Sequence, residues 1–171
     1  AHMKAYLDIE TTGLSPHHDD ITVVGISLGG VRDQDVIQLV GKDVNAANLG
    51  KALKNATTLC TYNGARFDLW FIRQRLGIDL LADFEHHDLM HDCWASGLYG
   101  GLKAVERTLG IRRNLTDVDG LQAVRLWWAY VRRNDQSALQ TLLDYNKEDV
   151  LNLKYLESKL RLSRRSGGGG L

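Results

Sequence analysis

The amino-acid sequence predicts an α/β fold in which a mixed central sheet of about five strands is flanked by helices on both faces. Three strand patterns come first, the middle of the chain alternates between helix and strand patterns, and the C-terminal part is helical. Strands in direct succession pair antiparallel, whereas strands joined through a helix pair parallel. We therefore expect both kinds of pairing in one sheet, with helices packed against it.

The strands are predicted from apolar and β-branched runs that end at turn residues. The segment from Lys4 to Ile9 alternates and then becomes apolar, and the segment from Ile21 to Leu28 ends at a pair of glycines. The short connection from Gly29 to Asp33 favours an antiparallel meander. The predicted strands cover residues 4–9, 21–28, 36–40, 57–62 and 87–89.

The helices are predicted from apolar residues that recur at helical spacing. After the fourth strand, Phe67, Trp70, Phe71 and Leu76 follow this spacing, and Phe67 is expected to anchor the preceding turn in the core. The predicted helices cover residues 46–53, 66–76, 102–109, 120–132 and 137–160.

The composition is that of one globular domain. The chain has 171 residues, of which 44% are hydrophobic and 25% charged, and these values argue against a disordered or fibrous protein. We assign residues 3–165 to this domain, and we interpret residues 1–2 as a scar of tag removal and residues 166–171 as a flexible tail. No run approaches the roughly 18 apolar residues of a membrane span and no secretory leader is visible, so we expect a cytoplasmic protein without a membrane partner.

The cysteines and the charge distribution narrow the function classes further. Cys60 and Cys93 lie 33 positions apart without a CxxC partner, which argues against a disulfide scaffold or a structural zinc site and favours buried thiols. The two parts of the chain differ in charge. Residues 1–100 carry 8 Lys and Arg against 13 Asp and Glu, a net charge of −5. Residues 101–171 carry 13 Lys and Arg against 8 Asp and Glu, a net charge of +5. A basic half can bind a polyanion, and an acidic half can bind metal ions. A solvated surface without a function would give the same numbers of charged residues.

Two carboxylates lie at the end of the first predicted strand. Strand alternation sends Asp8 and Glu10 to the same face, about 7 Å apart at their backbones. Two carboxylates held together repel each other unless a cation lies between them, and their hard oxygen ligands suit Mg²⁺ or Mn²⁺. Two solvated acids at an exposed strand end are the alternative for this pattern taken alone.

Two further motifs each place one acid on a helix. Asp68 follows Asn63 by five residues where the fourth strand passes into its helix, although capping and the helix dipole also favour an acid there. On the long C-terminal helix, Tyr145 and Asp149 are four residues apart and therefore project from one face. An ordinary surface pair is the alternative for these two residues.

In this order, the DxE, N-x4-D and Y-x3-D motifs resemble the three exonuclease motifs of the DEDD (DnaQ-like) superfamily of 3′–5′ exonucleases, whose fold is ribonuclease H-like. The second motif, from Tyr62 to Asp68, looks most like that of YprB-like exonucleases and of the proofreading domain of family B DNA polymerases. Residues 98–111 are similar to the stretch that these relatives carry between the second and third motifs. Asp144 stands where the histidine subtype has its histidine, so the chain resembles the tyrosine subtype.

The resemblance implies a role for each matching residue. The acids that match those holding two divalent metal ions, Mg²⁺ or Mn²⁺, are Asp8, Glu10, Asp68 and Asp149. Tyr145 matches the residue that orients the attacking water, and Leu14 the apolar residue that packs against the terminal base. The residues expected to bind substrate are Thr11, Leu14, Asn63, Arg66 and Lys147. Further candidates for holding the strand are Arg73, Arg112, Arg113, Arg132 and Arg133.

These residues lead us to expect a metal-dependent 3′–5′ exonuclease that hydrolyses single-stranded DNA to nucleoside monophosphates. A 3′–5′ exoribonuclease is an alternative, because nothing in the sequence fixes whether a 2′-hydroxyl is read. A non-catalytic nucleic-acid-binding or docking module is another. A homo-oligomer is also considered, since Trp127 and Trp128 cannot both face one core.

The histidines and tryptophans raise two further questions, a separate metal site and base stacking. His86, His87 and His91, with Asp88 and Asp92, look at first like a metal-binding group, but we favour helix capping or support of the neighbouring site over a separate zinc site. Core or subunit packing is favoured over base stacking for the helical tryptophans, which are Trp70, Trp127 and Trp128.

Overall fold

A computed structural model describes residues 3–29 and 35–167 of the chain. Its five strands are β1 (Lys4–Thr11), β2 (Ile21–Leu28), β3 (Val36–Val40), β4 (Thr58–Thr61) and β5 (Glu85–Asp88). Its helices are α1 (Ala46–Leu53), α2 (Asp68–Leu76), α3 (Leu80–Asp83), α4 (Leu89–Ala95), α5 (Leu102–Leu109), α6 (Gly120–Arg133) and α7 (Gln136–Gly167). A short 3-10 helix spans Gly41–Asp43.

The strands form one mixed sheet in the order β3-β2-β1-β4-β5. β1 pairs antiparallel with β2 and parallel with β4, and β2 and β3 are antiparallel. The prediction of a mixed five-stranded sheet flanked by helices is therefore confirmed. All of the turn predicted from Gly29 to Asp33 except Gly29 lies outside the described residues, as do residues 1–2, 34 and 168–171.

Each face of β1 contributes to a different layer of the fold. Ala5, Leu7 and Ile9 are buried with α1 and α2 on one face. Tyr6 packs on the other face with α4, α5 and α7. Because side chains alternate along a strand, Asp8 and Glu10 lie on the same side as Tyr6, toward α7. The strand therefore presents its carboxylates to the long C-terminal helix.

A glycine allows α7 to approach the sheet closely. Gly25 lies opposite Asp8 in the β1–β2 ladder. A Cβ atom at Gly25 would lie 2.2 Å from Asn146 Oδ1 and 2.8 Å from Val150 Cγ2. Any larger residue would push α7 away from β1, so this position fixes the distance between the elements that carry the acidic residues.

Several boundaries differ from the sequence prediction. The fifth strand spans Glu85–Asp88, so the strand predicted over residues 87–89 begins two residues late and extends one residue too far, into the start of α4. The side chain of Asp88 accepts a hydrogen bond from the Met90 amide and caps α4, as expected for this residue. The last helix continues to Gly167, past the predicted end at residue 160. Within the described residues, no helix is long and apolar enough to cross a membrane.

Candidate active site

Three carboxylates from two elements converge where β1 meets α7. Oxygen atoms of Asp8, Glu10 and Asp149 all lie within 4.8 Å of one another. Strand alternation aligns the first two, and α7 brings the third from the other end of the sequence. The structure thus brings these three predicted metal ligands together, and their role as ligands stays a prediction.

Burial and mutual repulsion disfavour full ionisation of this group in the absence of a cation. Burial, followed by the charge of Asp149, raises the pKa of Asp8 and of Glu10 well above their usual values. Burial also raises the pKa of Asp149 to about 6, although Arg113 opposes the shift. Three hard oxygen donors that repel one another and face a common point fit a magnesium-type or manganese-type ion.

Asp68 lies beside this group without being part of the close triad. It is the first residue of α2, and its Oδ2 atom accepts a hydrogen bond of 3.1 Å from the Ile9 amide. Burial raises its pKa to about 7. Asp68 and Asp8 line the same cleft, of about 380 Å³.

Tyr145 shares a helix face with Asp149 and is hydrogen-bonded to a lysine. Lys103 Nζ, on α5, donates to the phenol oxygen at 2.7 Å and to the Val118 carbonyl at 2.9 Å. Burial and neighbouring carboxylates raise the pKa of Tyr145 above its usual value, so the phenol stays neutral. Because the oxygen accepts from Lys103, the hydroxyl proton remains available to donate to another group.

Arg113 orients Asp149 and is itself buried. Its guanidinium pairs with Glu106 and with Asp149, and only 9% of its side chain is exposed. Glu148 holds the loop that carries Arg113, because its carboxylate accepts from the amides of Asn114 and Leu115 at 2.8 and 3.2 Å. The expectation that Arg113 contacts the nucleic-acid strand is therefore wrong: the guanidinium is used inside the protein.

Asn146 connects α7 to the first strand. Its Nδ2 atom donates to the Asp8 carbonyl at 3.2 Å and to Asp8 Oδ2 at 3.3 Å. Its Oδ1 atom accepts from Gln38 Nε2 at 3.0 Å. Asn146 is fully buried, and Gly25 leaves the space that it occupies. This contact fixes Asp8 relative to α7.

Three of the expected substrate-binding residues lie in two places. Asn63 lies in the cleft, whereas Thr11 and Leu14 lie at the end of β1 and in the turn after it. Asn63 lines the cleft with Asp8 and Asp68. Its backbone adopts a left-handed φ of 60°, and its amide donates a hydrogen bond of 2.8 Å to Asp88 Oδ1. Thr11 ends β1, where its hydroxyl donates to the Gly13 carbonyl at 2.6 Å. Leu14 follows in the same turn and is 82% exposed.

The cationic residues are more dispersed than the sequence suggested. Arg66 is exposed at the start of the α2 segment, with its guanidinium 6.0 Å from the Trp94 ring centroid. Lys147 lies about 200° around α7 from Asp149 and lines a different surface cleft with Asp144. Lys147 therefore does not face the carboxylates, and its role in substrate binding stays a prediction. Arg73 is paired with Asp79 at 3.8 Å.

The histidines do not form one metal-binding group. His86 shares a hydrogen bond of 2.8 Å with the Thr61 hydroxyl, whereas His87 pairs with Asp92 and faces Glu157. His91 packs against Trp94. The three imidazoles thus have different partners.

The tryptophans occupy different environments. Trp127 packs against the cluster of Val23, Leu142 and Tyr145, while Trp128 lies under the Arg132 guanidinium, 4.8 Å from its ring centroid. Trp70 is 37% exposed and is therefore not a core residue, while the alternative of subunit packing stays a prediction.

Comparison with known proteins agrees with the fold. Residues 5–161 match the RNase H superfamily, and the chain belongs to this superfamily. It is 31% identical over 169 residues to the uncharacterized protein YprB of Bacillus subtilis (strain 168), an alignment that covers 86% of this chain and 39% of that protein. The chain thus spans about two fifths of the length of this curated relative.

Two solved structures share the architecture. The family B DNA polymerase of the hyperthermophilic archaeon Pyrobaculum calidifontis superposes with a TM-score of 0.73 at 18% identity, covering 94% of this chain and 24% of the polymerase. A structure described as the apo form of a nuclease superposes with a TM-score of 0.62 at 23% identity, covering 95% of this chain and 74% of the other. At these identities, the likeness establishes the fold.

Proposed function

We propose that the chain is a metal-dependent 3′–5′ exonuclease that hydrolyses phosphodiester bonds of single-stranded DNA and releases nucleoside monophosphates. The observation that carries the proposal is the convergence of Asp8, Glu10 and Asp149 within 4.8 Å. Tyr145 lies one helical turn from Asp149 on the same face of α7. Membership of the RNase H superfamily supports a nuclease.

The donor set supports two divalent ions. Asp8, Glu10 and Asp149 would hold one Mg²⁺ or Mn²⁺ ion, and Asp68 would hold a second together with Asp8, whose cleft it shares. When bound, such ions activate a water as nucleophile and stabilise the leaving 3′ oxygen of a phosphodiester. The raised pKa values of the carboxylates mean that these ions must displace protons to bind.

The protein's own groups position the nucleophile. Lys103 donates to the Tyr145 oxygen, so the phenol directs its proton outward to the attacking water. Because Tyr145 is neutral, it acts as an orienting donor rather than as a base. Arg113 favours the ionised form of Asp149 and fixes its direction. These contacts prepare the site before substrate arrives.

The cleft supports binding of a strand end. Asn63 and a glycine pair at residues 100–101 line it beside Asp8, and Arg66 stands exposed nearby in the sequence. The exposed side chain of Leu14 is available to pack against a terminal base. Contacts to phosphates position a strand without reading its sequence, so we expect little sequence preference.

A digestion time course tests the proposal. DNA and RNA single strands of the same sequence, labelled at the 5′ end, are incubated with Mg²⁺, Mn²⁺ or chelator. We expect a ladder that shortens from the 3′ end, requires metal and is faster on DNA. Asp149→Asn should abolish it, whereas Asp144→Asn, a matched change at an exposed position of α7, should not. Metal-independent cleavage, or wild-type cleavage by Asp149→Asn, would exclude the proposed site.

A further inference from the structure

A second group of potential metal ligands lies under the opposite part of α7, apart from the three carboxylates. It consists of Cys60 on β4, His87 on β5 and Glu157 on α7, and one ligand atom from each lies within 4.8 Å of the others. We propose that these residues form a structural site for a zinc-class cation. The site goes beyond the exonuclease function and is independent of it.

The separations match those in a tetrahedral zinc complex. Ligand atoms bound about 2.0–2.3 Å from a tetrahedral zinc lie about 3.3–3.8 Å from one another. Cys60 Sγ lies 3.7 Å from Glu157 Oε2, and His87 Nδ1 lies 3.6 Å from the same oxygen. A thiolate, an imidazole and a carboxylate are all ligands that zinc accepts, whereas magnesium disfavours the first two. The third pair of ligand atoms, from Cys60 and His87, lies within 4.8 Å.

Asp92 gives His87 the orientation that a metal ligand requires. His87 Nε2 is hydrogen-bonded to Asp92 Oδ2, while Nδ1 points toward Cys60 and Glu157. With its Nε2–H donated to a carboxylate, a neutral imidazole exposes its Nδ1 lone pair, and this arrangement is common around metal-bound histidines. The ring is therefore fixed with Nδ1 facing the thiol and Glu157, so that loss of the Nδ1 proton would leave a lone pair at this position.

Charge balance favours exchange of two protons for one divalent ion. Binding breaks the S–H bond of Cys60 and the Nδ1–H bond of a protonated His87, forms one metal–sulfur and one metal–nitrogen bond, and releases two protons. The net charge of the group is unchanged, so the surrounding Lys4, Asp92 and Arg161 remain compensated.

The remaining contacts around Glu157 are compatible with an ion. Tyr6 donates to Oε1 at 2.7 Å and so leaves Oε2 directed at the proposed ion. Lys4 Nζ lies 3.0 Å from Oε2, but its side chain is 31% exposed and can withdraw its ammonium into solvent. His87 is also partly exposed, which opens a path for the ion. Cys60 and Glu157 are buried, so an ion there would join β4, β5 and α7.

Cobalt titration tests this site through its sulfur ligand. Chelator-treated protein is titrated with Co²⁺, whose bond to a cysteine thiolate gives a near-ultraviolet charge-transfer band that carboxylates do not produce. We expect the band in the parent chain and in Cys93→Ser, which changes the other buried cysteine, and its loss in Cys60→Ser. Added Zn²⁺ should abolish the band in the parent chain.

The result separates the proposed site from the carboxylate site. Asp149→Asn should leave the band unchanged, because that group contains no cysteine. If circular dichroism shows that Cys60→Ser does not fold, His87→Gln supplies the same test at a partly exposed side chain and should weaken the band. Absence of the band in folded parent protein, or its persistence in Cys60→Ser, would refute the zinc-class site without bearing on exonuclease activity.

Discussion

Replacement of Arg113 by methionine tests the most heavily buried charge network of the site. Arg113 is 9% exposed and pairs with Glu106, which is 1% exposed, and with Asp149. Arg113→Met retains much of the side-chain volume but leaves both carboxylates without their cation. Removing one partner of a buried ion pair costs about 3–5 kcal/mol of unfolding free energy. For a chain of this size, that corresponds to a decrease in Tm of roughly 6–20 °C.

Urea unfolding in chelator, followed by circular dichroism, measures this loss. The matched control is Arg112→Met, which changes the adjacent and exposed arginine and should shift the unfolding free energy by less than about 0.5 kcal/mol. In the Arg113→Met background, Glu106→Gln should restore part of the stability, because it removes one unpaired buried charge. If Arg113→Met and Arg112→Met unfold at the same urea concentration, the network does not stabilise the fold.

Three further changes probe the contacts around the carboxylates. Gly25→Ala should cost about 1–3 kcal/mol in the unfolding free energy, because its Cβ would collide with Asn146. Tyr145→Phe should lower kcat by about 10²–10³-fold with little change in metal affinity, because only the orienting hydroxyl is lost. Metal-free stability should fall as pH rises from about 4 to 7, since Asp68 and Asp149 retain protons that the unfolded chain has lost. The rise in Tm on adding Mg²⁺ should therefore be larger near pH 7.5 than near pH 5.

Each of these predictions has its own control. Gly50→Ala adds a methyl group where no atom lies within 4 Å, and it should not destabilise the chain. Tyr130→Phe removes a phenol from a different helix and should leave kcat unchanged. Asp68→Asn should reduce the pH dependence of the Mg²⁺ effect. A destabilised Gly50→Ala, an unchanged kcat in Tyr145→Phe, or an Mg²⁺ effect independent of pH would contradict the corresponding argument.

The acids of the site could be found from sequence because their spacing is local. Strand alternation places Asp8 and Glu10 on one face, and the four-residue spacing places Tyr145 and Asp149 on one side of a helix. Their convergence followed from the resemblance of the three motifs in order. The structure adds that Asp68 stands outside the closest group of carboxylates.

The residues that hold Tyr145, Asp149 and Asp8 in place could not be predicted from the sequence, because they lie far from these partners along the chain or give no local signal. Lys103 meets Tyr145 across 42 positions, and Arg113 meets Asp149 across 36. Nothing in the sequence around Asn146 indicates that it holds Asp8. Its role follows from its hydrogen bonds to Asp8 and from its fit beside Gly25. The nearest available signal was the similarity of residues 98–111 to the relatives, which contains Lys103.

Sequence distance alone does not place side chains relative to the site. Lys147 is two residues from Asp149 but faces another side of α7. The sequence argument on zinc considered the cysteines only as a pair, whereas the sheet brings Cys60 next to His87, and α7 adds Glu157. Such groups depend on strand register, which the sequence does not specify for short strands.

The central claim is tested most directly by following the two ends of one DNA strand during the first turnovers. A single-stranded oligonucleotide carries different labels on its 5′- and 3′-terminal nucleotides and is digested in Mn²⁺ by the parent chain or by Asp8→Asn. The proposed function predicts release of the 3′ label as a mononucleotide while the 5′ label stays on a shortening strand, with no release by Asp8→Asn. Initial release of the 5′ label, internal cleavage, or turnover by Asp8→Asn at the parent rate would contradict it.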